Sequence, residues 1–244
     1  MREKKAKKVL EHVKATYGNI AESFSSTRHY IGREFTTFLP YLQKAKNILD
    51  LGCGNGRFVR FLEKEKLKAH YIGIDNANEF IEICQKEFPR HTFKEGDQLN
   101  IPLANDTQDL ILNIRAFHHL PSKKHRINAL KEMHRVLNNK GILIISVWNL
   151  WQLKYWKQLV TAIIRSIISF GSYAYNDTFI PWQKHHKRYY HAFTQKELKK
   201  ILKQGDFNIL QQYKVGKDFI IIAQKGASIF WAYHLVQPTK KHGL

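Results

Sequence analysis

Three closely spaced glycines follow an acidic residue in the segment ILDLGCGNGRF, residues 48–58. Gly52, Gly54 and Gly56 stand between a predicted strand and a predicted helix, where a missing side chain lets the backbone approach a ligand closely. Asp50 ends the strand, and its carboxylate suits a cationic or amine-bearing ligand better than a pyrophosphate. Several nucleotide-binding folds use such a loop, so the loop alone does not identify the ligand. The acidic residues around it are needed to distinguish these folds.

Two further acids end the next two predicted strands. Asp75 closes YIGID, where a carboxylate can accept both hydrogen bonds of a ribose diol. Asp97 lies in EGDQLNIPL, where its carboxylate is placed to accept a hydrogen bond from an exocyclic adenine amine. Leu99 or Ile101 could pack on the adenine ring. The acids and the glycine loop together predict a site for a nucleoside that carries a positively charged tail.

Two adjacent histidines follow a fourth predicted strand in DLILNIRAFHHLP, residues 109–121. His118 and His119 could act as general bases, or as neutral or cationic hydrogen-bond donors that hold an acceptor molecule. A core position, or a cap on the helix that starts near Ser122, is the alternative for either ring. We expect only one of the two to contact substrate.

The elements that must position these groups lie in residues 46–150, where strands alternate with helices of about ten residues. This alternation predicts an α/β fold with a doubly wound, Rossmann-like parallel sheet. The segments outside it are predicted as helices at 3–15 and 30–45, an aromatic and basic insertion, a helix N-capped by Thr194, and a terminal antiparallel hairpin. We therefore divide a single domain into residues 1–45, 46–150, 151–192, 193–225 and an extension at 226–244.

The composition is globular, with 43% hydrophobic residues, but the formal net charge is +20. Such an excess favours a polyanionic partner, although a need for solubility would explain it too. Two cysteines are too few for a disulfide scaffold and indicate a reducing, cytoplasmic setting, and the first residues lack the apolar core of a signal peptide. The apolar stretch 158–170 is too short to span a bilayer and is interrupted by Arg165, which predicts a buried or interfacial amphipathic helix and no stable membrane insertion.

Residues 45–150 resemble the class I S-adenosylmethionine-dependent methyltransferases. The resemblance implies a seven-stranded sheet, with the glycine loop under the methionine part of S-adenosyl-L-methionine. It also implies that Asp75 holds the ribose and Asp97 the adenine amine. The cofactor-binding set that we expect is Asp50, Gly52, Gly54, Gly56, Asp75, Asp97, Gln98 and Asn113, without a metal ion.

A narrower resemblance extends over residues 17–215. The strings YGNIAESFSSTRHY, FHHLPSKKHRINALKEMHRVL, IPWQKHHKRYYHAF and TQKEL look like the tRNA wobble-uridine carboxymethyl methyltransferases, including the methyltransferase domain of the AlkB-homologue enzyme. This family implies methyl esterification of 5-carboxymethyluridine in the tRNA anticodon loop, and in eukaryotes a small activator subunit. The implied catalytic set, which lines the acceptor pocket, is His118, His119, Arg28, Arg188 and His191.

Other roles stay open for these residues. Arg28 and Arg188 could contact phosphate instead of a carboxylate, and Trp182, Tyr189 and Tyr190 could stack on anticodon bases or fill a small core. The run Lys184, His185, His186 and Lys187 could form a phosphate-binding edge. No family role attaches to the 158–170 helix, which could substitute for an activator, or to the 226–244 extension.

Two rival functions follow from the same sequence. A methyltransferase acting on a small molecule or lipid would use the insertion as a lid, with a pocket lined by Ile163, Ile164, Ile167 and Phe170. A non-catalytic RNA-binding module is the other rival, but binding RNA alone requires neither the glycine loop nor the three acids.

Overall fold

Seven strands form one mixed sheet, and two more form a separate hairpin. The structure is a computed structural model that describes residues 1–28, 30–183 and 186–226. The strands are β1 (Asn47–Leu51), β2 (His70–Asp75), β3 (Thr92–Glu95), β4 (Gln108–Ile114), β5 (Leu137–Trp148), β6 (Asp177–Trp182), β7 (His186–His191), β8 (Phe207–Val215) and β9 (Asp218–Lys225). The sheet order is β3-β2-β1-β4-β5-β9-β8, parallel through β5, with β9 antiparallel to both neighbours. The predicted fold, including its terminal hairpin, is confirmed.

Helices cover both faces of the sheet. They are α1 (Glu3–Ser26), α2 (Leu39–Leu42), α3 (Arg57–Lys64), α4 (Asn78–Glu87), α5 (Lys123–Val136), α6 (Trp156–Ile168) and α7 (Gln195–Gln204). One apolar layer joins Leu49, Leu51 and Ile74 to α5 and α7, and the other joins Ile48 to α3. Because side chains alternate along a strand, Asp50 lies on the Ile48 side of the sheet.

The N-terminal region differs from its prediction. Helix α1 runs to Ser26 and not to residue 15, because Thr16, Ile20 and Ala21 remain buried beyond that point. The predicted helix at 30–45 is a 3₁₀ helix at Arg33–Phe38 followed by the single turn of α2. Pro40 stands in that turn and has no backbone N–H, so a continuous helix would lose a hydrogen bond there.

The β6–β7 hairpin and α1 together cover the carboxyl end of the sheet. Nε2 of His12 in α1 lies 2.7 Å from the carbonyl oxygen of Lys187 in β7. Helix α6 packs on the same hairpin, where the hydroxyl of Thr178 donates to the carbonyl of Gln158 at 3.4 Å. At α7 the Thr194 hydroxyl accepts from the backbone N–H of Glu197, which confirms the predicted cap. None of the helices in the described ranges is long and apolar enough to cross a membrane.

Candidate active site

A cleft opens at the carboxyl ends of β1, β2 and β4. These strands surround the point where the chain order of the sheet reverses, which is where open α/β sheets bind ligands. Helix α1 and the β6–β7 hairpin form the opposite wall. Six of the predicted cofactor and acceptor groups meet here, together with Gly52 and Gly54: Asp75, Gln98, His118, His119, Arg28 and Arg188.

The glycine loop has a left-handed backbone that only glycine adopts without strain. Gly52 has φ +86°, and a Cβ there would lie 2.4 Å from the Cβ of Ala116. Gly54 has φ +52°, and a Cβ there would meet no atom within 4 Å. Since Gly54 lines the cleft, its missing side chain leaves open space beside the backbone. Gly56 also has a positive φ, but it packs against Phe88 and Cys84 and does not line the cleft.

Asp75 binds the loop and still faces the cleft. One carboxylate oxygen accepts the N–H of Gly54 at 2.9 Å, and the other accepts the N–H of Ala77 at 3.1 Å. Burial raises the pKa of this carboxyl, and the backbone N–H groups oppose that effect. Each oxygen keeps further acceptor capacity, which fits the two hydroxyls of a ribose.

Asp50 lies beneath the loop and not in the cleft. The hydroxyl of Tyr71 donates to its Oδ2 at 2.9 Å, and the carboxyl is 3% exposed. Burial raises its pKa from 3.8 to about 7. The expectation of a direct contact with a cationic ligand therefore receives no support from its position, because the strand alternation turns this side chain into the core.

Gln98 lines the cleft, whereas the predicted cofactor residues Asp97 and Asn113 are not among the residues that line it. Oδ1 of Asp97 accepts the N–H of Leu99 at 2.8 Å. Nδ2 of Asn113 donates to the carbonyl of Leu51 and, at 3.2 Å, to Oε1 of Gln98. Asn113 is fully buried, so it orients Gln98 instead of lining the cleft.

Both ring nitrogens of His119 are used within the fold. Nδ1 donates to the carbonyl of Tyr189 at 2.7 Å, and Nε2 accepts from the hydroxyl of Tyr17 at 3.0 Å. Burial lowers the pKa of His119 to about 3. A neutral ring with two protein partners holds α1 and β7 together and has no proton left for a ligand.

The His118 ring has the opposite tautomer to that of His119. Its Nδ1 accepts the backbone N–H of Trp148 at 3.0 Å, which places the ring hydrogen on Nε2. Burial, then the neighbouring His119 and Arg115, lower its pKa well below 6.5. Burial therefore favours a neutral His118 at the cleft with its hydrogen on Nε2, and the cationic role that the sequence left open receives no support.

Arg188 presents a buried guanidinium to the cleft. The residue is 5% exposed, and no carboxylate of the described residues lies within ion-pair distance of it. Its Nε has no hydrogen-bond partner there either. The guanidinium lies 4.7 Å from the Trp182 ring centroid and 5.4 Å from that of Tyr190. With aromatic rings and the Tyr17 side chain as its neighbours, this guanidinium has no anion among the described residues and remains available for one.

Arg28 is half-buried at the mouth of the same cleft. Its guanidinium lies between two aromatic rings, 4.5 Å from the centroid of Phe24 and 4.4 Å from that of Trp182. The Arg28 guanidinium therefore covers one face of the Trp182 ring, so that face cannot stack on a base. Tyr189 and Tyr190 are buried and pack in the small cores around the hairpin, which favours the core role for both.

His191 does not reach the cleft. Its Nδ1 lies 2.9 Å from Oδ1 of Asp177 and its Nε2 lies 2.7 Å from Oε1 of Glu197, while Arg126 stands beside both ring nitrogens. The ring is 2% exposed, with Phe193 packed against it. The position of His191 therefore does not support its expected place in the acceptor pocket, because Asp177, Glu197 and Arg126 hold it in a buried polar network.

Sequence reasoning missed several residues that line the cleft. They are Tyr17, Tyr30, Arg57, Arg115 and Trp148. Arg57 directly follows Gly56, and that adjacency to the loop was the one available signal. Arg115 has φ +58° and makes two hydrogen bonds from Nε and one from a terminal nitrogen to Asp218, so it is already paired. Of the predicted phosphate edge, Lys184 and His185 lie outside the described residues, as does the segment 227–244.

The described cleft fits S-adenosyl-L-methionine. The open space at Gly54, the acceptor capacity of Asp75 and the amide of Gln98 match a backbone cradle, a ribose diol and a purine edge. Arg57, which has no ion-pair partner among the described residues, provides a cation for a carboxylate. No group of His, Cys, Asp and Glu side chains in the described ranges has the arrangement of a metal site.

Comparison with known proteins defines the class. Residues 48–141 match the family model described as a methyltransferase domain. The chain superimposes on a Methanosarcina mazei S-adenosylmethionine-dependent methyltransferase with a TM-score of 0.66 at 22% identity, covering 78% of this chain and 97% of that one. The chain thus contains an S-adenosylmethionine-dependent methyltransferase domain, as the cofactor site predicts.

A protein of known activity and a second solved structure are also similar to this chain. Mouse tRNA (carboxymethyluridine(34)-5-O)-methyltransferase ALKBH8 is 31% identical over 142 residues, which is 58% of this chain and 20% of that protein. The chain therefore spans about a fifth of the length of this relative. A Haloferax volcanii methyltransferase, solved in complex with the Trm112 methyltransferase activator, has a TM-score of 0.63 at 14% identity over 88% of this chain and 98% of its own.

Proposed function

We propose that this protein methylates the carboxylate of 5-carboxymethyluridine at the wobble position of tRNA, which yields a methyl ester. The observation that carries the proposal is Arg188, a buried guanidinium that lines the cleft and has no carboxylate partner among the described residues. An acceptor with a negative charge at this point would supply the missing anion. The similarity to the mouse wobble-uridine enzyme supports the same acceptor.

The reaction requires little acid–base catalysis from the protein. A carboxylate is ionised at neutral pH and can attack a methyl group without a general base. Bound S-adenosyl-L-methionine supplies an electrophilic methyl group on a sulfonium. Arg188 and the Nε2–H of His118 would then orient the acceptor carboxylate, while Trp148 and Tyr190 exclude water from its surroundings. A neutral His118 suits this task, because a second full charge would hold the carboxylate too tightly to react.

The tRNA partner has its own support. The net charge of +20 favours a polyanion, and 15 of the basic residues fall in 151–244 against four acidic ones. Tyr30 lines the cleft and is 58% exposed, so it is the ring best placed to stack on an unpaired base. Arg28 remains a candidate for either the acceptor carboxylate or a neighbouring phosphate.

The rival acceptor, a small molecule or lipid under a lid, is less well supported. Its distinguishing pocket would be lined by Ile163, Ile164, Ile167 and Phe170. All four are exposed, and none lines the cleft. The buried face of α6 packs on the hairpin, so the helix does not act as a lid in this structure.

A small activator subunit is a further proposal, supported by the fold shared with the Haloferax volcanii protein that was solved with its activator. The idea that α6 replaces such a subunit is not supported, since α6 packs on β6 and not on an edge of the large sheet. We also infer a cytoplasmic location, supported by two free cysteines, Cys53 and Cys84.

The proposal is tested by incubating the protein with methyl-labelled S-adenosyl-L-methionine and total tRNA from cells that lack wobble methyl esters. We expect label in a uridine derivative and its release by mild alkali, because esters hydrolyse where N-, C- and ribose-methyl groups do not. Label that survives alkali would show that the RNA carries a methyl group at another position and that the product is not an ester. Cofactor binding without labelled RNA would favour the small-molecule acceptor.

A further inference from the structure

Helix α6 presents an apolar face to solvent. Its inner face, with buried Ala162 and half-buried Leu159, packs toward the hairpin. The outer face consists of large apolar side chains that recur at helical spacing: Trp156, Val160, Ile163, Ile164, Ile167 and Ile168. Leu153 and Phe170, which flank the helix, are 90% and 91% exposed. A continuous apolar surface of this kind on a folded domain marks an interaction site.

The charges within the segment that carries this face have one sign. Residues 151–176 contain three basic residues, Lys154, Lys157 and Arg165, and no acidic residue. Lys154 and Lys157 are exposed at the start of the helix, and the ammonium of Lys157 lies 5.7 Å from the ring centroid of Trp156. Trp151 and Tyr175 are also exposed beside the apolar face. An apolar helix face with lysines and aromatic rings at its border is typical of segments that lie in the headgroup region of a bilayer.

The shape of the surface favours a bilayer over a folded partner. Ile167 and Ile168 are 71% and 72% exposed, so they project from the surface and do not line a groove that a partner's side chains could enter. The helix has 13 residues and cannot span a membrane, but it can lie parallel to one.

We propose that α6, with Leu153 and Phe170, docks the protein on the surface of an anionic lipid bilayer. The apolar face enters the headgroup region, and Lys154 and Lys157 contact lipid phosphates. Tyr155 and Leu159 pack in the same small core as Tyr190 and Trp148, both of which line the cleft. Docking would therefore hold the acceptor end of the cleft near the membrane. The inference does not depend on the identity of the acceptor.

Vesicle flotation tests this surface. The purified chain is mixed with vesicles of phosphatidylcholine and phosphatidylglycerol, or of phosphatidylcholine alone, at physiological salt. We expect binding to the anionic vesicles and a blue shift of tryptophan fluorescence as Trp156 leaves water. Replacing Lys154 and Lys157 with Gln should weaken binding by about fivefold for each lysine.

The decisive variant keeps every charge. Ile167→Ser with Phe170→Ser should lower the bound fraction at least tenfold, whereas Leu210→Ser, an exposed apolar residue of β8, should leave it unchanged. Equal binding of the double variant and the wild type would overturn the proposal, since the net charge alone would then explain adhesion. So would a failure to bind anionic vesicles, or a dimer in sedimentation that the double variant dissociates, because α6 would then bind a second copy. Unchanged cofactor affinity checks that each variant is folded.

Discussion

At the residue scale, the charge states in the cleft differ from what the residue types suggest. Burial favours the neutral form of both histidines, and Arg188 is a buried cation of the cleft without a carboxylate partner among the described residues. His119 holds the walls of the cleft together and His118 keeps a hydrogen for the acceptor. The sequence could identify the two histidines but not assign their separate roles, because their partners Tyr17, Trp148 and Tyr189 come from other parts of the chain.

Arg188→Met should separate stability from activity. Removing a buried guanidinium that lacks an anion should leave the free energy of unfolding unchanged or raise it by about 1 kcal/mol or more. The same change should lower kcat/KM for tRNA about 100-fold, because the acceptor carboxylate loses its charged partner. Denaturant titration and initial rates measure the two effects.

The matched control is Arg126→Met, which removes the arginine beside His191 and Glu197. It should destabilise the fold by about 3 kcal/mol, since the buried network then loses a cation that its carboxylates need. If Arg188→Met were the more destabilising of the two, Arg188 would be a structural residue and the acceptor site would be misplaced.

Asp50 should make the stability of the cofactor-free protein depend on pH. Its pKa is 3.8 ordinarily and about 7 in the fold. Its contribution is complete below about pH 4, where the folded and unfolded states are both protonated, and is lost as the pH rises through about 7. The loss is on the order of 4 kcal/mol.

Thermal unfolding from pH 4 to 8 checks this dependence against Asp50→Asn, which should flatten the part of the profile that Asp50 produces. Tyr71→Phe removes the hydroxyl that stabilises the carboxylate and should move the fall in stability to higher pH. Identical profiles for the wild type and Asp50→Asn would show that Asp50 is ionised in the fold.

At the element scale, the β1–α3 loop and Asp75 were predictable because backbone conformation and strand ends are local properties. Asp97, Asn113 and His191 were not, since a residue near a strand end can turn either toward the cleft or behind it. The length of α1 was missed for a related reason, as its second half is stabilised by burial against later elements. Gly18 inside it interrupts the local helical pattern, but there a Cβ would lie 2.7 Å from the Glu79 carboxylate.

The loop prediction is tested by two alanine substitutions. Gly52→Ala places a Cβ against Ala116 at 2.4 Å with φ +86°, so it should destabilise the fold by about 2 kcal/mol or more and abolish cofactor binding. Gly54→Ala has free space around its Cβ and should cost about 1 kcal/mol, yet weaken cofactor binding at least tenfold by filling the cradle. Calorimetric titration measures the affinities, and normal binding by Gly54→Ala would place the cofactor elsewhere.

At the scale of the whole molecule, the charge of +20 should govern RNA binding and not cofactor binding. Affinity for tRNA should fall at least 100-fold between about 50 and 200 mM salt, because bound phosphates release counterions. Affinity for S-adenosyl-L-methionine should change little, since its contacts are few and enclosed. Filter binding and calorimetry across the salt series give both slopes, and a flat RNA slope would argue against a phosphate-tracking surface.

The most direct test of the account uses a defined acceptor. An anticodon stem–loop carrying 5-carboxymethyluridine is compared with the same stem–loop carrying uridine, each incubated with S-adenosyl-L-methionine and the wild type or Arg188→Met, and the nucleosides are weighed by mass spectrometry. We predict a methyl ester only on the carboxymethyl nucleoside and about 100-fold more slowly with Arg188→Met. Methylation of the uridine stem–loop, or equal rates for the two proteins, would contradict the assignment of Arg188 and the cleft to a carboxylate acceptor.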